Sequence, residues 1–157
     1  MANVNAPNGF VPLRHLTGGV IRANEYAIAN SYAANLASGD LVTLAANGTV
    51  IRGTAGGVAL GGFYGVEYID NDTGDVKFSK VWNTGTTAKA NEPIKAYVYD
   101  DPNITYAVQV NGTFASTAVG ALANVTLGTF NSTYGHSTDE LDIATLATTA
   151  KTLRILR

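Results

Sequence analysis

The sequence predicts one all-β domain, an antiparallel sandwich or barrel, preceded by an extended N-terminal arm. Three observations carry this. Apolar residues alternate with period two through 63–69, 76–81, 94–99 and 104–110, the period of a half-buried strand. Turn signals built on Gly, Asn, Asp and Pro recur at intervals of about 8–12 residues, the spacing of short antiparallel strands. Only residues 113–123, rich in Ala and small residues, read as a helical turn, and Gly120 weakens it. The chain has 157 residues, which suits one domain that folds without metal or disulfide. Residues 1–19 form the arm and 20–157 the β domain.

In the arm, Pro7 and Pro12 remove backbone donors, and Asn8-Gly9 and Gly18-Gly19 add turns. Phe10, Val11, Leu13 and Leu16 are nevertheless apolar, so the arm lies on something, either its own domain or a neighbour. Short strands follow at Val20–Arg22, Tyr26–Ile28 and Leu41–Leu44. Asn47-Gly48 turns the chain into Thr49–Ile51, because Asn-Gly accepts the positive φ of a tight hairpin. Val58–Leu60 follows Gly56-Gly57. The clearest hairpin pairs Phe63–Ile69 with Val76–Val81 around Asp70–Gly74. Strict alternation puts Tyr64, Val66 and Tyr68 on one face and Glu67 on the other. A second hairpin joins Ile94–Tyr99 to Ile104–Val110 through Asp100-Asp101-Pro102-Asn103, where Pro102 presets φ and the Asp and Asn side chains accept local bonds. Val125–Leu127, Leu141–Ala144 and Leu153–Leu156 read as further strands, with a polar loop over 129–138. The stop at Arg157, straight after Ile155-Leu156, is the pattern expected of a chain with a longer native tail.

Charged residues make up 14% of the chain and the net charge is −2, against a usual charged share of about 25%. Such a surface repels its neighbours weakly and suits an assembly. The densest basic segment, Lys151, Arg154 and Arg157, is too sparse for nucleic acid or anionic lipid. The absence of cysteine removes disulfides and thiolate chemistry. Residues 1–10 lack the features of a signal peptide, and no apolar run is long enough for a membrane span.

The residues for catalysis are missing from the pattern, so no catalytic, cofactor-binding or metal-binding residue and no cofactor is expected. The two histidines, His15 and His136, have no ligand partner at i+2 or i+4, and no Gly-x-Ser-x-Gly elbow marks a nucleophile. Asp70, Asp72 and Asp75 partly imitate a calcium loop but lack its closing Glu and sit between strands, so a hairpin turn is the simpler account. Asp139, Glu140 and Asp142 could pair as glycosidase acids only with a separation and desolvation that sequence does not reveal. The Gly53–Gly62 run has no Gly-Lys-Ser/Thr end and no following helix, so it is no phosphate cradle. Six Asn-x-Thr sequons reflect turn composition. Trp82 closes a strand, at the edge of the core or at a surface.

Taken together, Gly9-Phe10-Val11-Pro12, Arg14-His15-Leu16, Ile21-Arg22, Glu25-Tyr26, Gly39-Asp40-Leu41-Val42, Gly65-Val66-Glu67-Tyr68, Phe78-Ser79-Lys80, Lys95 through Asn103 and Val108-Gln109-Val110 resemble a family of tailed-bacteriophage structural proteins. The resemblance also includes Met1-Ala2-Asn3, covers most of 1–110 and thins afterwards. It implies a capsid cement, or decoration, protein. Such a protein is a small jelly-roll or sandwich domain, made in the bacterial cytoplasm and carried as a dimer or trimer on the outer surface of the virion. Its partner would be the major capsid protein, with no enzyme activity, nucleic acid or membrane involved. On this reading the arm, Asn3 to Leu16, lies across capsid subunits. Its contacts would be Phe10, Val11, Leu13, Arg14, His15 and Leu16, with Trp82 as a further aromatic anchor. The rival expectation is a carbohydrate-binding module or a fibre or tail domain, in which Trp82 and the tyrosines stack on sugars.

Overall fold

The computed structural model describes residues 4–156, and the fold is all-β. The strands are β1 (Val11–His15), β2 (Asn24–Ile28), β3 (Leu36–Ala37), β4 (Leu41–Leu44), β5 (Val50–Arg52), β6 (Gly61–Ile69), β7 (Val76–Ser79), β8 (Val81–Trp82), β9 (Ile94–Tyr99), β10 (Ile104–Ala107), β11 (Leu122–Thr126), β12 (Glu140–Ala147) and β13 (Leu153–Arg154). The main sheet runs β2-β9-β6-β4-β5, and β7 pairs with the far half of β6. All its ladders are antiparallel. Its two ends, β2 and β5, touch, so the sheet curls on itself. The ribbon β3-β8 covers its inner face. There Trp82, Leu36, Phe63, Val42, Val50, Val66 and Val98 form the main core. A three-stranded sheet, β12-β11-β13, and the ribbon β1-β10 complete the described fold. The arrangement is that of a β-sandwich of antiparallel sheets.

Several segments differ from the sequence expectation. Val20–Arg22 and Val58–Leu60 join no ladder, and Val20 and Val58 stand in solvent. The helical turn shrinks to a 3-10 turn, Ser116–Ala118, because Gly120 takes φ +88° and β11 starts two residues later. The strand expected over Val76–Val81 breaks at Lys80. The Ser79 hydroxyl bonds the backbone N–H and carbonyl of Val81, and β8 leaves for β3.

The N-terminal segment is tied down. Of the expected arm, residues 1–3 lie outside the described residues. Beyond them, the Ala6 N–H donates to the Gln109 side chain, the Phe10 N–H to the Gly39 carbonyl, and β1 pairs with β10. Of the two placements expected for the arm, its own domain or a neighbour, residues 11–15 take the first. They form a strand of their own domain, because β10 would otherwise present an unpaired ladder edge.

Candidate functional site

Strict alternation along β1 would turn Val11, Leu13 and His15 to one face. The ladder shows otherwise. Pro12 pairs with Tyr106 and Arg14 with Thr105, so Leu13 is an extra, bulged residue. After the bulge the faces exchange. Pro12 and His15 turn toward the domain on the same side as Tyr106 and Ile104, while Val11, Leu13 and Arg14 turn out. Leu13 and the following Leu16 are each 52% exposed. His15 is locked by its ring. The N–H groups of Thr17 and Gly19 point at Nδ1, which makes Nδ1 the acceptor and assigns the proton to Nε2. Nε2 lies 2.9 Å from Asp101 Oδ2. The Asn103 backbone N–H and then His15 hold the Asp101 carboxyl below its ordinary range.

Two of the residues expected to meet a partner do not reach the surface. Phe10 is 3% exposed and meets the Tyr106 ring edge-on at 6.0 Å, within the cluster of Leu41 and Val125. Trp82 is 1% exposed, packs edge-on against Tyr68 at 5.7 Å, and donates from Nε1 to the Tyr32 carbonyl. Burying so large a ring against β6 is worth more than leaving it at an edge, so both aromatics are core residues. His15 is likewise turned inward.

The exposed aromatics lie elsewhere. A second bulge, between Phe63 and Gly65, lets both Phe63 and Val66 face the core and sends Tyr64 to the opposite face from Val66, correcting the expected grouping. There Tyr64 meets Phe78 at 5.9 Å and Tyr99 at 5.5 Å, and Phe78 meets Tyr97 at 5.7 Å. Gly65 makes room for this, since a Cβ there would stand 2.9 Å from Phe78 Cζ. The Tyr97 hydroxyl donates to Glu67, which raises the phenol and, with Lys95, lowers the Glu67 carboxyl.

Beside Tyr64 opens a cleft of about 520 Å³ between β1, the β6–β9 pair and the 131–136 loop. Tyr99, Lys80 and the parallel Tyr134–His136 ring pair also line it, the latter with centroids 5.8 Å apart. The loop is built firmly. Asn131 Oδ1 accepts the N–H of Thr133 and Tyr134, and the Gly135 N–H donates to the Asn131 carbonyl. The period-two pattern conceals both bulges, and composition marks the loop only as polar.

The acidic motifs resolve as structure. Asp70 Oδ1 accepts the N–H of Asp72 and Thr73, and Oδ2 meets Lys77 Nζ at 2.6 Å. Asp139 is buried and bonds Arg52, while Glu140 and Asp142 stay on β12. Among the described residues, no group of three or more His, Cys, Asp or Glu is placed to hold a metal, and no helix is long and apolar enough to cross a membrane. Comparison with protein-family models, curated proteins and solved structures gave no match.

Proposed function

We propose that this chain is a non-enzymatic virion structural protein, a cement protein that docks on the outer surface of the major capsid protein shell and stabilises it. The observation that supports this reading is the β1 stripe. Val11 and Leu13 stand exposed on a strand that its ladder with β10 holds in place, with Leu16 exposed just past its end. The contact differs from the one expected of a free arm. It is a fixed ridge, with Arg14 beside it, and it needs no ordering on binding. Burying a leucine fully is worth about 1.5–3 kcal/mol, so each half-exposed leucine offers roughly half of that. One ridge binds weakly, and many copies on a symmetric shell hold together through multivalency. The low charge of the chain fits a crowded surface.

The test is shell occupancy with Leu13→Asp/Leu16→Asp, substitutions that spare the buried Phe10. Expected is a folded protein that no longer decorates shells. Undiminished occupancy would reject the reading. Removing residues 1–16 would be the poorer experiment, because it takes Phe10 from the core.

A further inference from the structure

We propose that the cleft beside Tyr64 binds a carboxylated saccharide. Its lining contains one full cation, Lys80, and no Asp or Glu. On the same hairpin Lys77 is held by Asp70, and Lys95 next to it by Glu67 and Glu25. Among the described residues Lys80 makes no ion pair, so its charge is open to an anion. Around it stand Tyr64, Tyr99 and Tyr134, which offer ring faces for the C–H side of a pyranose and hydroxyls for its O–H groups. Ser38, Asn8 and His136 add further donors and acceptors. The volume lies within the range of about 300–1,000 Å³ of small-ligand sites, and the lining is more polar than an oily pocket.

The site is also preformed. Tyr134 is 69% exposed, yet the Asn131 turn fixes its backbone and His136 stacks against its ring. The Ser38–His136 bridge joins that loop to the floor of the cleft. Gly135, at φ +68°, lets the loop close against Lys80 and Val81, where a Cβ would stand 3.1 Å from Val81 Cγ2. An acidic peptide is the competing ligand for one cation. A peptide adding itself as a strand would find Pro12, which has no donor, and the Leu13 bulge, both of which blunt β1 as an edge. A saccharide needs no ladder and uses the rings.

The experiment titrates the full chain with an oligogalacturonate, followed by calorimetry and by saturation-transfer NMR. The comparison ligands are its neutral methyl ester and a polyglutamate peptide of equal charge. The variants are Lys80→Met and Tyr134→Ala, both at exposed positions, with the uncharged Leu13→Ser/Leu16→Ser as control. Expected is binding of the oligogalacturonate alone, weakened about tenfold or more by Lys80→Met, the loss of one charge-assisted hydrogen bond. Tyr134→Ala should also weaken it and reduce the saturation transfer to the sugar C–H groups, while the β1 variant binds as wild type. The proposal is overturned by no binding, by equal binding of the methyl ester or of polyglutamate, or by insensitivity to Lys80→Met and Tyr134→Ala. Loss of binding in the β1 variant, which leaves the cleft lining untouched, overturns it too. The shell-docking reading stands or falls separately.

Discussion

Replacing Arg52 by Met should destabilise this domain by about 3 kcal/mol. The Arg52 side chain is about three-quarters buried, with 24% of it exposed, and its Nη2 sits 2.7 Å from Asp139 Oδ1 and 3.4 Å from Asp40 Oδ1. It also donates to the Gly128 carbonyl. Asp40 and Asp139 are almost wholly buried. They accept the N–H groups of Ala37, Leu41 and Gly128, so the node ties the main sheet to the segment between β11 and β12. Arg52→Met strands two buried carboxylates. Breaking a buried pair costs about 3–5 kcal/mol. The lower end applies, since water reaches the exposed part of the guanidinium and its buried Nε already lacks a partner. A loss of about 3 kcal/mol lowers Tm by roughly 6–12 °C in a domain of this size. Urea unfolding followed by Trp82 fluorescence measures it. The deficit should shrink in acid. Burial raises the Asp40 carboxyl above its ordinary value of 3.8. A raised group contributes stability that is complete below the unfolded value and lost as pH rises through the folded one. Acid therefore favours the folded state at Asp40, all the more once its cation is gone. Asp139→Asn should restore part of the lost stability. A variant within about 0.5 kcal/mol of wild type, or a deficit that does not fall toward pH 4, refutes this account of the node.

Gly61→Ala should cost at least the roughly 3 kcal/mol at the top of the overpacking range, because its Cβ would lie 1.9 Å from the Tyr99 carbonyl oxygen and part β6 from β9. Gly85→Ala, with open space around it, should stay within about 0.5 kcal/mol in the same chemical denaturation. Trp82 should emit blue-shifted, resist acrylamide quenching until the protein unfolds, and cost about 3–5 kcal/mol as Trp82→Ala. Asp70 is held down to about 2, first by Lys77 and then by the Thr73 N–H. Its contribution is present above the ordinary Asp value and lost as pH falls through about 2. Asp70→Asn should therefore flatten the stability loss between about pH 4 and 2 in an acid titration, and an unchanged slope would assign that loss elsewhere.

What could be read from the sequence was whatever depends on neighbours along the chain. The Asp70–Gly74 turn, the alternation of Ile94–Tyr99, buried at every second residue, and the Asn47-Gly48 hairpin are all local, and all are present. What could not be read depends on partners distant in sequence. The sequence places Trp82 at the edge of the core or at a surface and not in its centre, because its cover, Leu36 and Tyr68, comes from β3 and β6. Whether Phe10 packs on its own domain or on a neighbour stayed open because Tyr106, its partner, lies on β10. Tyr134 and Lys80 meet at one cleft only after the 131–136 loop folds back on the Lys80–Val81 corner between β7 and β8, and no motif announces that contact.

Both proposed surfaces arise from the same backbone device. A regular strand over a core gives solvent only alternate residues, so two neighbouring side chains cannot both face a partner. The extra residue of a bulge lifts that restriction at the cost of one unpaired backbone position. On β1 it turns Leu13 and Arg14 out together and aims His15 at Asp101; on β6 it keeps Phe63 and Val66 in the core while sending Tyr64 to the cleft. Each bulge is flanked by ladder pairs and braced by a buried aromatic, Phe10 or Phe63. Leu13, Arg14 and Tyr64 are therefore set by the sheet, while Leu16 and Tyr134 reach the two surfaces from turns held by backbone hydrogen bonds, and what they touch is bound with little ordering left to do.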